Sequence, residues 1–184
     1  MKQQIIVSGI GGQGVLFLTQ VIAQVAVNQG IPVLTSETHG MAQRGGTVLS
    51  TIKIGDFASP LIRTGQADVG LLLWEANLPV HKSLLKSHAV LLISAEKAGE
   101  GKRIDAAGIA RRMGNPVLAN LVLLGLAVKN KALFCQASEC EAAIQQLAPK
   151  KFVEMNIKAF HTGLGHQESQ PIKDCNRMTT DGET

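Results

Sequence analysis

Apolar and polar positions alternate along this chain in two rhythms. Ile5-Ile6-Val7 is a short apolar run that ends in glycines, and behind it Leu18, Val21, Ile22 and Val25 recur at spacings of three and four. A strand that turns into a helix is predicted there, with the helix stopped by Gly30. Ile31 to Thr35 reads as a second strand, closing a strand–helix–strand unit of about thirty residues. Ser36 to Gly46 is polar, carries glycines and matches neither period, so a loop is expected. Thr47 to Ile54 is rich in strand formers. Gly55-Asp56 suggests a turn into a short strand at Phe57, giving an antiparallel hairpin and a mixed sheet.

After a loop from Arg63 to Asp68, Val69 to Trp74 reads as a buried strand and Leu78 to Lys86 as a helix with Pro79 in its first turn. His88 to Ser94 is another strand, followed by a polar surface loop from Ala95 to Arg103. The last third is helical. Asp105 is placed to cap a helix that ends near Gly114, and Asn115-Pro116 separates it from an apolar helix over Val117 to Val128. Ser138 and Glu141 form the capping-box pattern of a helix ending before Pro149, and Lys151 to Phe160 begins a final helix stopped at Gly163. Beyond Gly165 the sequence is polar and without period.

This order of elements predicts an α/β fold, a three-layer α/β/α single domain on a mixed, mostly parallel sheet. The domain is expected over residues 1–164, with a polar, mobile tail over 165–184. The chain has 184 residues, 45% hydrophobic but only 3% aromatic and without Tyr, so its core must be Val, Ile, Leu and Ala. Such a core suits a parallel sheet covered by helices. A formal charge of +4, spread along the chain, together with so few stacking aromatics, argues against nucleic acid as a partner. Met1-Lys2-Gln3-Gln4 leads straight into the first strand, with no room for a signal segment. The longest apolar run, Val117 to Val128, is interrupted by Asn120 and Gly125 and is too short for a bilayer. A cytoplasmic protein with no membrane partner is expected. Cys135, Cys140 and Cys175 contain no C-x-x-C pair and cannot supply four ligands to an iron–sulfur cluster, so they read as reduced thiols.

Two stretches carry candidate chemistry. Gly9-Ile10-Gly11-Gly12-Gln13-Gly14 sits where the first strand becomes a helix. Its glycines permit a tight turn with N–H groups close to a partner, at the positive end of the helix dipole. Gly9, Gly11 and Gly14 also match the G-x-G-x-x-G dinucleotide fingerprint, and Glu37, about twenty residues on, stands where that site keeps an acid for a ribose hydroxyl. A tight strand-to-helix crossing without any ligand, and a Glu37 in an ordinary loop ion pair, are the plain alternatives. In the second stretch Arg44 offers a planar cation beside Gln43, Gly45 and Gly46, suited to a carboxylate or phosphate, or to an internal ion pair. His39 is a candidate acid or base, or a hydrogen-bonded loop histidine. Both stretches are expected at the carboxyl edge of the sheet, where open α/β sheets bind ligands.

Self-sufficient catalytic sets are missing from the sequence. There is no Walker A Lys-Ser or Lys-Thr after the glycines, no G-x-S-x-G elbow, no H-E-x-x-H helix, no zinc-spaced set and no thiamine diphosphate magnesium motif after Gly55-Asp56. Two marked loops without a complete active site suggest a binding subunit of something larger.

Ser8 to Gly14, Ser36 to Gly46 with its His39-Gly40-Met41-Ala42-Gln43-Arg44-Gly45-Gly46 core, Ser59-Pro60-Leu61-Ile62 and Gly65-Gln66-Ala67-Asp68 resemble, in that order, the gamma-type subunit of 2-oxoacid:ferredoxin oxidoreductases. The second motif is most similar to the small (beta) subunit of the indolepyruvate enzymes. Gly114-Asn115-Pro116, Asn120, Gly125 and the stretch from Asn156 to Gly163 extend the likeness over about residues 3 to 165. The resemblance implies a subunit without thiamine or cluster, joined to a larger subunit that carries thiamine diphosphate, Mg and iron–sulfur clusters. The complex would decarboxylate a 2-oxoacid oxidatively, pass electrons to ferredoxin and form an acyl-CoA. Gly9, Gly11, Gly12, Gln13, Gly14, Glu37, His39, Gln43, Arg44, Gly45 and Gly46 would then form one polar surface, docked on that partner or holding coenzyme A at the shared interface. A free-standing dinucleotide-binding protein and a non-catalytic docking module are the competing readings.

Overall fold

A computed structural model describes residues 1–39 and 46–166 of the chain. Six strands form one sheet: β1 (Gln3–Ile10), β2 (Val33–His39), β3 (Thr47–Ile54), β4 (Ala67–Leu72), β5 (Leu85–Ser94) and β6 (Lys102–Ile104), in the order β2-β3-β1-β4-β5-β6. β1, β4, β5 and β6 are mutually parallel, while β3 runs antiparallel to both β1 and β2. The sheet is thus mixed, as expected, but for a different reason. No strand follows the turn at Gly55-Asp56; β3 itself is the antiparallel member, inserted between β2 and β1.

Helices α1 (Val15–Asn28), α3 (Ala106–Arg112), α4 (Ala119–Lys129), α5 (Ala137–Leu147) and α6 (Val153–Leu164) contribute to one core with Ile5, Val7, Ile52, Ile54, Val69, Leu71 and Leu92. That core is aliphatic apart from Phe160 and two cysteines. The opposite face, with Ile6, Leu72, Leu91 and Ile93, has a thinner cover. There Ile62 and the four-residue helix α2 (Leu78–His81), flanked by 3-10 turns Glu75–Asn77 and Lys82–Leu84, supply the third layer.

Several predicted boundaries shift for identifiable reasons. Ser36 to His39 is not loop but the end of β2, because the β3 ladder runs on to His39 opposite Val48. The helix expected over Leu78 to Lys86 is one turn long, since β5 already starts at Leu85 to pair with Ala67. Part of the expected loop from Ala95 to Arg103 is β6, a short edge strand on β5. The capping box lies two residues earlier than predicted: Gln136 caps α5 and Glu139 Oε2 accepts from the Gln136 N–H at 2.8 Å, leaving Ser138 inside the first turn. The helix predicted over Val117 to Val128 starts as a 3-10 turn, Pro116–Leu118, and continues as α4. The final helix begins as a 3-10 turn over Lys150–Phe152 and runs through Gly163 to Leu164. The tail expected over 165–184 lies outside the described residues from position 167 onward.

Every residue of α4 from Ala119 to Ala127 is buried, so this helix is enclosed between the sheet and α6. The two helix backbones touch at paired glycines. A Cβ on Gly125 would meet the Phe160 carbonyl oxygen at 2.1 Å, and one on Gly163 the Val122 carbonyl oxygen at 2.0 Å. Alanine gains about 1 kcal/mol over glycine in a helix interior. Here the overlap is with backbone, which cannot rotate away, and overpacking costs about 1–3 kcal/mol or more. Gly125→Ala is therefore expected to lower stability by about 1 kcal/mol net in urea unfolding; a stabilised variant would show that α4 and α6 are not in backbone contact.

On the thinner face His81 is buried and its Nε2 has no hydrogen-bond partner among the described residues. Burial pushes the imidazole below its ordinary 6.5, because the charged form loses its water. The fold holds His81 neutral while the unfolded chain takes up the proton. This contribution is whole above pH 6.5 and declines as pH falls below it towards the folded value. Comparing urea midpoints above and below that pH, His81→Leu should show a shallower acid loss than the parent chain, and equal slopes would refute the assignment.

Candidate functional site

The chain leaves β1 at Ile10 and passes to α1 on the helical face, whereas it leaves the neighbouring parallel strand β4 at Leu72 and passes to α2 on the other. The connections diverge between the carboxyl ends of β1 and β4, and a crevice at such a switch point is where open α/β sheets bind. The glycine loop lies at this switch point.

Inside the loop the side chain of Gln13 folds back over Gly9. Its Oε1 accepts from the Ile10 N–H at 2.9 Å and its Nε2 donates to the Leu73 carbonyl at 3.3 Å, tying the β1 loop to the end of β4. A Cβ at Gly9 would lie 2.7 Å from that Oε1, so glycine is required for the fold-back. Gly14 has φ 74°, and Asn120 of α4 donates to its carbonyl at 3.0 Å. Below the loop Asn77 is buried. Its Nδ2 donates to Ser8 Oγ at 2.9 Å and to the Gly9 carbonyl at 3.0 Å, and its Oδ1 accepts from Thr47 at 3.3 Å. Sequence reasoning missed Asn77 altogether and used Asn120 as an interruption of an apolar run and as part of the family likeness, without a role at the loop. A polar amide within a run that must be buried was the available signal for Asn120.

The loop's outward side is a different surface. Gly11 and Gly12 are exposed, and among the described residues no side chain caps the first turn of α1, where the positive end of the helix dipole lies. Around them stand three large apolar side chains in solvent, Leu16 at 37%, Trp74 at 46% and Val117 at 42% exposure. Next to Trp74 a cleft of about 440 Å³ opens between the ends of β4 and β5 and the start of α3, lined also by Ser94, Glu96, Asp105 and Arg111. Three of its charged side chains have partners: Asp105 Oδ1 accepts from the Gly108 N–H at 2.7 Å, and Arg111 lies 3.7 Å from Glu96.

The residues proposed from sequence are distributed as follows. Gly9, Gly11, Gly12, Gln13 and Gly14 form the loop at the switch point beside the end of β4. Gly46 joins them through its carbonyl, which accepts from the Gly11 N–H at 3.1 Å, so the end of the second stretch touches the first. Gln43, Arg44 and Gly45 lie outside the described residues. His39 ends β2, and Glu37 is an exposed strand residue rather than a loop residue. Glu37 pairs with Ser50, which in turn faces Val7 of β1. A ribose-binding acid sits at the end of the strand beside the glycine strand. Here β3 occupies that place and sets β2 a further strand spacing of about 4.8 Å away, so Glu37 does not adjoin the glycine loop. Among the described residues no three His, Cys, Asp or Glu side chains gather to hold a metal ion, and no helix is long and apolar enough to cross a membrane.

The family model described as pyruvate ferredoxin/flavodoxin oxidoreductase matches residues 4–165. The chain belongs to this family. It is 31% identical to the indolepyruvate oxidoreductase subunit IorB of Archaeoglobus fulgidus, over 89% of this chain and 94% of that one. It is 25% identical to the 2-oxoglutarate synthase subunit KorC of Methanocaldococcus jannaschii, over 89% and 92%. The crystal structure of the keto/oxoacid ferredoxin oxidoreductase gamma subunit of Geobacter sulfurreducens superimposes with a TM-score of 0.71 at 28% identity, covering 88% of this chain and 95% of that one. The chain is thus a subunit of a 2-oxoacid:ferredoxin oxidoreductase with the gamma-subunit fold, as its motifs implied.

In this oxidoreductase subunit Gln13 holds the glycine loop in shape. Gln13→Ala removes the acceptor of the Ile10 N–H and the link to Leu73. A loss of about 1–3 kcal/mol is expected, with faster hydrogen exchange at the Ile10 amide; unchanged exchange there would show that another group holds the turn.

Proposed function

We propose that this chain is the gamma-type subunit of an indolepyruvate-type aryl pyruvate:ferredoxin oxidoreductase, working in the cytoplasm, and that the β1–β4 crevice edge is its docking surface on a larger subunit. In this reading the larger subunit holds thiamine diphosphate, Mg and the iron–sulfur clusters, which supply decarboxylation of the 2-oxoacid and electron transfer to ferredoxin. Coenzyme A, the acyl acceptor, approaches along the shared interface. The observation that carries the reading is the edge itself: exposed Gly11 and Gly12 beside a helix start that no side chain among the described residues caps, near exposed Leu16, Trp74 and Val117. Apolar side chains around a polar centre are what a protein interface buries, with aromatic residues as anchors. The resemblance to the small subunit of indolepyruvate enzymes supports the substrate class.

This chain's own part in the reaction is then to close one wall of the site against water and to present N–H dipoles, together with Arg44, to an anionic group of the partner or of coenzyme A. The dinucleotide-binding alternative loses support from the strand order, which keeps Glu37 away from the glycines. Calorimetry of the isolated chain with NAD, NADP and FAD is expected to show no binding, and heat from any of them at micromolar concentration would revive that alternative.

Co-expression with the larger subunit tests the docking surface. Trp74→Ala and Arg44→Ala should each weaken assembly or coenzyme A affinity by about 1.5–3 kcal/mol, roughly ten- to a hundredfold, with the isolated chain still folded. Loss of assembly without any change in coenzyme A affinity would leave the chain a docking module only. Full assembly and full affinity in both variants would end the proposal.

A further inference from the structure

Away from the crevice, Cys135 and Cys140 lie with their sulfur atoms 3.4 Å apart, sharing a hydrogen bond, and both are free thiols. Their place in the fold explains the closeness. Gln136 caps α5, so Cys135 is the residue before the cap and Cys140 the fourth residue of the helix. Those two positions meet in the apolar staple that fixes the entry of a chain into a helix. The same loop is held to the sheet by Gln3, which donates to the Ala132 carbonyl at 2.8 Å and accepts from the Phe134 N–H at 3.2 Å. Gln3 begins β1, seven residues from Ile10, so the pair lies at the amino edge of the sheet, roughly 23 Å along the strand from the glycine loop.

From this geometry we infer that Cys135 and Cys140 are a peroxide-sensitive modification site that closes reversibly to a disulfide, turning the staple of α5 from a contact into a covalent bond. The two sulfurs are inequivalent: Cys135 retains 7% exposure and Cys140 none. Cys135 is therefore the sulfur that hydrogen peroxide reaches. Its thiolate attacks one peroxide oxygen, the O–O bond breaks, and with the thiol proton the departing hydroxide becomes water, leaving a sulfenic acid. The Cys140 sulfur then displaces the sulfenic hydroxyl, which leaves as a second water with the Cys140 proton. Two thiols and one peroxide give one disulfide and two waters; the sulfur pair loses two electrons and the peroxide gains them. The move from 3.4 Å to a bond of about 2.05 Å is little more than 1 Å. The hydrogen bond to Cys135, with burial, holds the Cys140 thiol protonated, which suits a resolving rather than an attacking group. Closure therefore waits for peroxide at Cys135.

The test uses the full chain carrying Cys175→Ser, reduced and then exposed to graded hydrogen peroxide. Expected is a loss of the mass of two hydrogens, a Cys135–Cys140 linked peptide, and full return with dithiothreitol. In the same background with Cys140→Ala, dimedone should label Cys135; with Cys135→Ala, Cys140 should stay a thiol while the chain is folded by circular dichroism. If the folded chain keeps both thiols at a dose that oxidises the urea-unfolded chain, the proposal is overturned. It is equally overturned if Cys135 goes on to sulfinic acid without a link to Cys140. Because the readout is mass on this chain alone, its failure leaves the docking reading standing.

Discussion

The pairing of β1 with β3 governs this molecule. Eight residues of β1, Gln3 to Ile10, face Ile54 to Thr47 of β3 in unbroken antiparallel register, while the other edge of β1 bonds in parallel to β4. With both edges occupied, β1 is the central strand, and the direction of β3 brings the beginning of β3 beside the end of β1. That is why Gly46, immediately before Thr47, lies against Gly11. The same insertion separates β2 from β1 and takes Glu37 out of reach of the glycines. One register thus joins the two glycine-bearing stretches and removes the geometry that a dinucleotide site would need.

A second constraint concerns α4, which is apolar on every side and must be covered on every side. The sheet and α6 cover it, and the paired glycines Gly125 and Gly163 let the two backbones touch. With α1, α3 and α5 on the same face, nearly all the helical mass lies on one side of the sheet. The other side keeps a short helix and extended chain, within which Asn77 binds the underside of the glycine loop. Packing and site share residues here: Asn120 belongs to the buried helix and also holds the Gly14 carbonyl.

The inside of the glycine loop is filled by its own protein groups, with Gln13, Asn77 and Asn120 bonded to its backbone. A loop so filled acts as a rigid edge, and its exposed Gly11 and Gly12 sit near exposed apolar side chains. This division, polar bonds within and apolar contacts without, favours a subunit surface over a pocket that swallows a small ligand. The cysteine staple at the far end of β1 sits in the same helical layer, yet touches none of these groups.

By itself the sequence determined the fold class, the mixed sheet, the aliphatic core and the family, because these rest on periodicity, composition and ordered motifs that are local in the chain. It marked the glycine loop for the same reason: φ values such as those of Gly12 and Gly14 are written in residue type. Tertiary structure alone decided which strand would run backwards, how far β2 would extend, and that β5 would begin at Leu85 within the expected helix, since ladder bonds between distant segments outweigh local preference. It alone placed Asn77 under Gly9 and moved Glu37 away from the glycines. Contacts between distant segments follow from how strands and helices stack, and no local pattern in the chain records that stacking.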